Sequence, residues 1–339
     1  MTIPWTMVSS RGFPGSGMPN VDRPHGAASH IAIGPGREFD LVREMLSVWG
    51  DVASGVGDDA AVVDVPPGER LVVSTDTAVL DVHFRREWLS AGEIGFRSTV
   101  AALSDLAAMA ARPVGVLVAL TIPTDWTNDV AALARGIGEA ARIADAPIVG
   151  GDLTSGRELA LAITVLGTSP RPLSRADARP GDRVYVTGIL GGPSAAVRAW
   201  YGGAEPTAWC RGRFARPAVR VREAAWLATH GARAMIDISD GLASELQHLA
   251  RASGVRIRVD LDRIPRGPGV EFSDAVRGGD EYELLFTAGG AIDIDAFARA
   301  FGVPLTELSE VRPAAQGEVL AERNGVRVDL EMGHDHFSS

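Results

Sequence analysis

The chain has 339 residues, 46% of them hydrophobic and 22% charged, enough apolar material for one large core or two ordinary ones. Its formal net charge is -10, with 43 acidic against 33 basic side chains, which disfavours DNA or RNA as a partner. Any anionic small substrate would need metal cations to approach. The single Cys210 excludes an internal disulfide and a cysteine-built zinc cluster, and fits a reducing compartment. No apolar run reaches membrane-spanning length and no signal-peptide core opens the chain, so a soluble, cytoplasmic protein with no membrane partner is expected.

In chain order, residues 1–35 are rich in Gly, Pro and Ser without an apolar period, and a disordered extension is expected there. From Glu38 onward Phe39, Leu41, Val42, Met45 and Leu46 fall on one helical face. Val62–Val65 and Leu71–Ser74, parted by Pro66-Pro67-Gly68, predict two strands joined by a turn. Ser90 with Glu93 has the spacing of a capping box and predicts a long helix to about Ala111. A strand over Val114–Ile122, a helix over Asn128–Ala144, a short strand at Ile148–Val149 and another over Leu159–Gly167 follow.

The stretch Ser169–Asp182 concentrates Pro, Arg and Asp without periodicity and is the expected boundary, dividing the chain into domains at 36–168 and 169–339. Beyond it the patterns predict strands at Arg183–Thr187, Arg256–Val259 and Tyr282–Thr287. Helices are predicted at Ser194–Tyr201, Pro217–Thr229 and Leu242–Ala252. Each half mixes sheet and helix, an α/β or α+β class built in layers.

Acidic residues recur at glycine turns and strand ends. "GVGDDAAVV" holds Asp58 and Asp59; "STDT" holds Ser74, Thr75 and Asp76; "SDLAAM" holds Asp105; "GGDLT" holds Asp152; "IDISDGL" holds Asp237, Ser239 and Asp240. Each has a plain structural reading: a turn for Asp58, Asp59 or Asp152, a helix-surface charge for Asp105, an N-cap for Asp240. Taken together, hard oxygen donors in such number suit magnesium, and several such ions would reverse the local sign and admit a polyphosphate. No G-x-x-x-x-G-K-[ST] loop and no helix-opening G-x-G-x-x-G is present, so the nucleotide fold lies outside those two types. "GILGGPSAAV", a glycine-rich entry to a helix, is a candidate anion cradle.

In order, "GVGDDAAVV", "VVSTDT", "VHF", "SDLAAM", "GGDLT", "PGDRVYVTG", "IDISDGL", "GGDEYELLFT" and "GHDHF" resemble the motif set of the thiamine-monophosphate kinase family, within the aminoimidazole-ribonucleotide-synthetase-like ATP-binding superfamily. The resemblance runs from about Glu38 to Phe337. It implies an N-terminal domain that binds metal and ATP and pairs with its copy into a barrel-like sheet in a homodimer, followed by a C-terminal α/β domain. It implies transfer of phosphate from ATP to thiamine monophosphate with several Mg²⁺ ions. Matched position by position, it assigns Asp59, Ser74, Thr75, Asp76, Asp105, Asp152, Asp237 and Asp240 to metal. Gly151, Asp152, Arg175 and Ser239 fall to the nucleotide, and His83, Asp280 and His334 to the thiamine moiety.

Two departures fall at the acceptor end. The family's usual Gly-Gly-Glu-Asp-Tyr is here Gly278-Gly279-Asp280-Glu281-Tyr282, and an aromatic near the C-terminus is replaced by His334. Trp200, Trp209 and Trp226 are expected to pack rather than bind. Other enzymes of the same superfamily, or a non-catalytic nucleotide-binding regulator, are the competing readings.

Overall fold

The computed structural model describes residues 35–314 and 316–330, so His334 and all but the last residue of the expected extension lie outside the described residues. Helix α1 (Arg37–Trp49) turns Met45 and Trp49 into the core, and the Trp49 indole N–H donates to the Ala134 carbonyl at 2.8 Å. The strand expected at Val62–Val65 does not form: the segment is unpaired and Val62 is 92% exposed. Apolar character alone could not make it a strand, because among the described residues no strand bonds to it.

Strand β1 (Arg70–Val79) follows, then α2 (Ala91–Ala108), whose capping box forms as the Ser90–Glu93 spacing predicts. Apolar or small on almost every face, α2 is buried on nearly all sides, as such a helix must be. It packs on α3 (Val130–Ile143), on the inner face of the first sheet and on elements of the second half. Gly136 makes the α2–α3 approach achievable, since a Cβ there would collide with the Gly92 carbonyl. Ile94, Leu103 and Leu106 of α2 are fully buried, each contributing roughly 1.5–3 kcal/mol.

With β2 (Arg112–Ile122), β3 (Ile148–Ser155) and β4 (Ala160–Ser169), β1 forms an open sheet of order β1-β4-β2-β3. Strand β3 runs six residues past the expected Val149, so Gly150, Gly151 and Asp152 lie within it rather than at its end. Gly151 is close to β2: an added Cβ would meet the Val118 carbonyl. Its lack of a side chain therefore serves strand contact.

The second half contains β5 (Arg183–Thr187), α4 (Gly192–Tyr201), α5 (Ala208–Ala215), α6 (Val221–Thr229), β6 (Ala232–Asp237), α7 (Leu242–Ser253), β7 (Arg256–Asp260) and α8 (Phe272–Arg277). It continues with β8 (Leu284–Ala288), α9 (Ile294–Phe301), β9 (Leu305–Arg312), β10 (Glu318–Arg323) and β11 (Val326–Val328). Its sheet has the order β11-β10-β7-β9-β5-β8-β6. The helix expected from Pro217 begins only at Val221. One buried cluster joins the first half to one side of this sheet, including Tyr185, Phe214, Leu284 and Phe286.

Candidate active site

A cleft of about 830 Å³ opens between the halves, and its walls differ at the two ends. Thr75, Asp76, Asp105, Asp237, Ser239 and Asp240 form an acidic end; Val82, His83, Trp88, Val197, Tyr201 and Phe214 form an aromatic and apolar one. Asp280 and Tyr282 also line it.

The acidic end is assembled from three elements. Strand β1 delivers Thr75 and Asp76; α2 delivers Asp105; the last residue of β6 is Asp237, and the turn after it delivers Ser239 and Asp240. The Ser74 hydroxyl donates to Asp105 Oδ2, and the Ser104 hydroxyl donates to Asp237 Oδ2 across the two halves. Asp105 is thus not a free surface charge. Asp240 is not a cap either, since Gly241 occupies the N-cap of α7 and makes no side-chain cap bond.

Electrostatically this end is short of positive charge. Burial pushes the Asp237 carboxyl up to about 6, with Asp105 adding to the effect and the Ser104 hydroxyl opposing it. Burial also raises Asp76 and Asp105 above the usual carboxylate range, against the Thr77 N–H at the first and the Ser74 hydroxyl at the second. Behind them Glu245 is pushed up to about 7, first by burial, and then by Asp237 and Asp240 against a hydrogen bond from the Asp240 N–H. Arg175, exposed on the boundary segment, lowers Asp105, Asp237 and Glu245 and so stands close to this end.

Not every expected residue reaches the cleft. Asp59 is exposed in the loop before β1, its N–H bonded to Asp58 Oδ1, and Gly151 and Asp152 are exposed on β3. Strand β3 is the edge opposite β1, with two strands between, so Asp152 is separated from Asp76 by about 14 Å of sheet. Among the described residues no group of three or more His, Cys, Asp or Glu side chains is close enough to hold a metal ion by itself. The anion-cradle expectation for the glycine-rich stretch is also corrected: the Gly191 N–H at the head of α4 donates to Glu281 Oε1, a buried carboxyl already in the place of an external anion.

At the other end Trp88 and Trp200 stack with centroids 4.8 Å apart, and Tyr201 meets Trp88 edge-on at 5.4 Å. Trp200 and Trp226 pack, as expected, the latter against Phe297 and Phe301. The His83 Nδ1 accepts the Val79 N–H at 3.1 Å, which orients the ring on the cleft wall. Trp88, Tyr201, Ser104 and Glu245 are not legible in the sequence as neighbours of this cleft, because each needs a partner distant in sequence to bring it there.

Residues 57–169 match the AIR synthase related protein N-terminal domain, and residues 179–329 match its C-terminal domain. Thiamine-monophosphate kinase of Salmonella typhimurium is 33% identical over 323 residues, 89% of this chain and 97% of that protein. This chain belongs to the thiamine-monophosphate kinase family. A Bacillus subtilis kinase of the same name is 30% identical over 88% of this chain and 99% of its own length. Among solved structures, the thiamine-monophosphate kinase of Stenotrophomonas maltophilia superposes with a TM-score of 0.75 at 34% identity, covering 85% of this chain and 97% of that one. AaThiL in complex with AMPPCP and TMP gives 0.69 at 26%, covering 88% and 96%. A hydrogenase maturation protein HypE in complex with ATP gives 0.76 at 21%, covering 89% and 96%, a likeness of fold alone. No helix among the described residues is long and apolar enough to cross a membrane.

Proposed function

We propose that this chain transfers the γ-phosphoryl group of ATP to the phosphate of thiamine monophosphate, giving thiamine diphosphate and ADP, with several Mg²⁺ ions between the substrates. The observation that carries the reading is the polarity of the cleft: half-buried to buried, under-compensated carboxylates from both halves at one end, aromatic rings at the other. A substrate that is polyanionic at one end and a flat heterocycle at the other matches that layout.

The donor set fits magnesium. All the groups at the acidic end are hard oxygen donors, and the raised pKa values of Asp76, Asp105 and Asp237 suit a site that gains from added positive charge. Mg²⁺ is commonly held by one or two carboxylates plus substrate phosphates and water, so three closely grouped side chains are not required. Asp76, Asp105, Asp237 and Asp240 are the residues that would hold it, with Ser74 and Thr75 beside them. When bound, the ions neutralise phosphate charge and align donor with acceptor. Ser74 and Ser104 orient their carboxylates, Arg175 adds fixed positive charge for the nucleotide, and Ser239 lies on the same wall. His83 and Asp280 face the acceptor. The acceptor phosphate has a second pKa near ~6 and is already largely ionised at neutral pH, so no side chain need remove a proton. Asp59, Gly151, Asp152 and His334 are carried by the resemblance alone.

The working form in this reading is a homodimer with the two four-stranded sheets joined barrel-like. Among the described residues strand β1 pairs along one edge only, and Leu71 and Val73 on it are 48% and 55% exposed. Such an edge calls for a cover. Val73→Lys is expected to shift the protein toward monomer by light scattering, with its circular dichroism unchanged.

The deciding assay incubates the protein with MgATP and thiamine monophosphate and resolves products by chromatography. Thiamine diphosphate is expected. Nucleotide binding without that product would favour a regulator or a different acceptor.

A further inference from the structure

We propose that Arg97 is a positioning residue that sets the acceptor-facing carboxylate Asp280, and that it separates Asp280 by role from its neighbour Asp76. This rests on the reading of Asp280 as facing the acceptor. Arg97 lies mid-way along the otherwise apolar α2 and is only 4% exposed, a costly place for a guanidinium without fixed partners. Its Nη1 donates to the Phe214 carbonyl at 2.8 Å, its Nη2 pairs with Asp280 Oδ2 at 2.8 Å, and its guanidinium lies 3.9 Å from the Phe214 ring centroid. Asp280 Oδ1 accepts the Tyr282 hydroxyl at 3.0 Å. Both carboxylate oxygens are therefore held, yet the side chain remains 39% exposed to the cleft.

The backbone beneath is equally constrained. Asp280 and Tyr282 have φ of 64° and 53°, a left-handed conformation seldom adopted by such residues. The turn is pinned where the Asp280 N–H donates to Ser239 O at 2.8 Å and the Tyr282 N–H to Ile238 O at 2.9 Å. Asp280 thus hangs from the same turn that carries Asp237 and Asp240, and Arg97 ties it across to the first half. Asp280 and Arg97 both lie close enough to Asp76 to act on its charge, in opposite senses. By drawing Asp280 to itself, Arg97 leaves Asp76 to the phosphate end.

The test measures kcat, the KM for thiamine monophosphate, the KM for ATP and Tm on the full-length enzyme. Arg97→Met is expected to raise the acceptor KM about tenfold or more with the ATP KM within about twofold, and Arg97→Lys to recover part of the loss. Arg97→Met combined with Asp280→Asn should be no worse than Asp280→Asn alone, since both remove one unit. Tyr282→Phe, which preserves packing, should raise the acceptor KM by about threefold and serves together with Arg97→Lys if Arg97→Met does not fold. Equal losses for both substrates, or an additive double variant, would overturn the inference. Should Asp280→Asn leave the acceptor KM unchanged, the reading of Asp280 falls and this inference with it. A raised acceptor KM in Asp280→Asn alone, with the Arg97 and Tyr282 variants unaffected, sinks only the inference.

Discussion

Two groups of carboxylates lie close together in this molecule and are treated in opposite ways. Glu283, fully buried below the cleft, accepts Arg220 Nε at 2.7 Å, Arg220 Nη2 at 2.8 Å, Arg213 Nη2 at 2.9 Å and the Thr187 hydroxyl at 2.7 Å. Burial alone would raise it, but Arg220 and these neighbours hold the carboxyl down at about 2. At the acidic end of the cleft, Asp76, Asp105 and Asp237 are desolvated and bonded to hydroxyls and N–H groups, and their pKa values rise although Arg97 acts against this at the first and Arg175 at the other two. The first group brings its cations with it. In the proposed reading the second receives them from outside, and that difference would separate structural from functional acids where sequence alone sees only Asp and Glu.

The sharpest way to break this contrast is to neutralise one member of each group. Asp76→Asn is expected to lower kcat by at least about a thousandfold, as loss of a group that organises transition-state charge does. Its Tm should hold or rise, because an unfavourable buried charge has gone. Wild-type turnover with unaltered magnesium dependence would end the assignment. Glu283→Ala should do the reverse: about 3–5 kcal/mol of stability lost, since Arg220 and Arg213 are left buried without it, and Tm lower by roughly 10 °C. A Glu283→Ala protein as stable as wild type, by thermal melting, would show that the buried pairs do not contribute as their geometry indicates.

Much of this was legible from the residues. The Ser90–Glu93 spacing located the head of α2, and the period at Phe39–Leu46 located α1, because capping and amphipathic faces are local. The pattern at Val62–Val65 misleads since pairing is not local, and the extent of β3 is hidden because Gly150-Gly151 look like a stop while β2 accepts them. Of the acids, Asp76, Asp105, Asp237 and Asp240 share the cleft, whereas Asp59 and Asp152 do not reach it within one chain. The motif order gave the candidates, but only the packing of β1, α2 and β6 shows which of them meet. Glu281 and Glu283 sit in the same motif as Asp280 and no pattern distinguishes their tasks; their burial does.

The smallest expected effect separates these two neighbours. Glu281 is buried with its Oε2 unbonded and Arg213 3.6 Å away, and burial pushes its carboxyl up to about 8 despite that arginine and the Gly191 N–H. Folded Glu281 keeps its proton to about pH 8, whereas in the unfolded chain it is lost near 4.5, so its contribution to stability falls as pH rises between those values. Glu283 behaves oppositely: its contribution is present above 4.5 and is lost as pH falls toward 2. Gln cannot titrate but resembles the neutral acid in shape. Glu281→Gln should therefore gain on wild type between pH 5 and pH 8, on the order of 2 kcal/mol, read as melting curves at several pH values. Parallel Tm profiles would place the charge on Glu281 throughout that range and make it a second structural acid like Glu283.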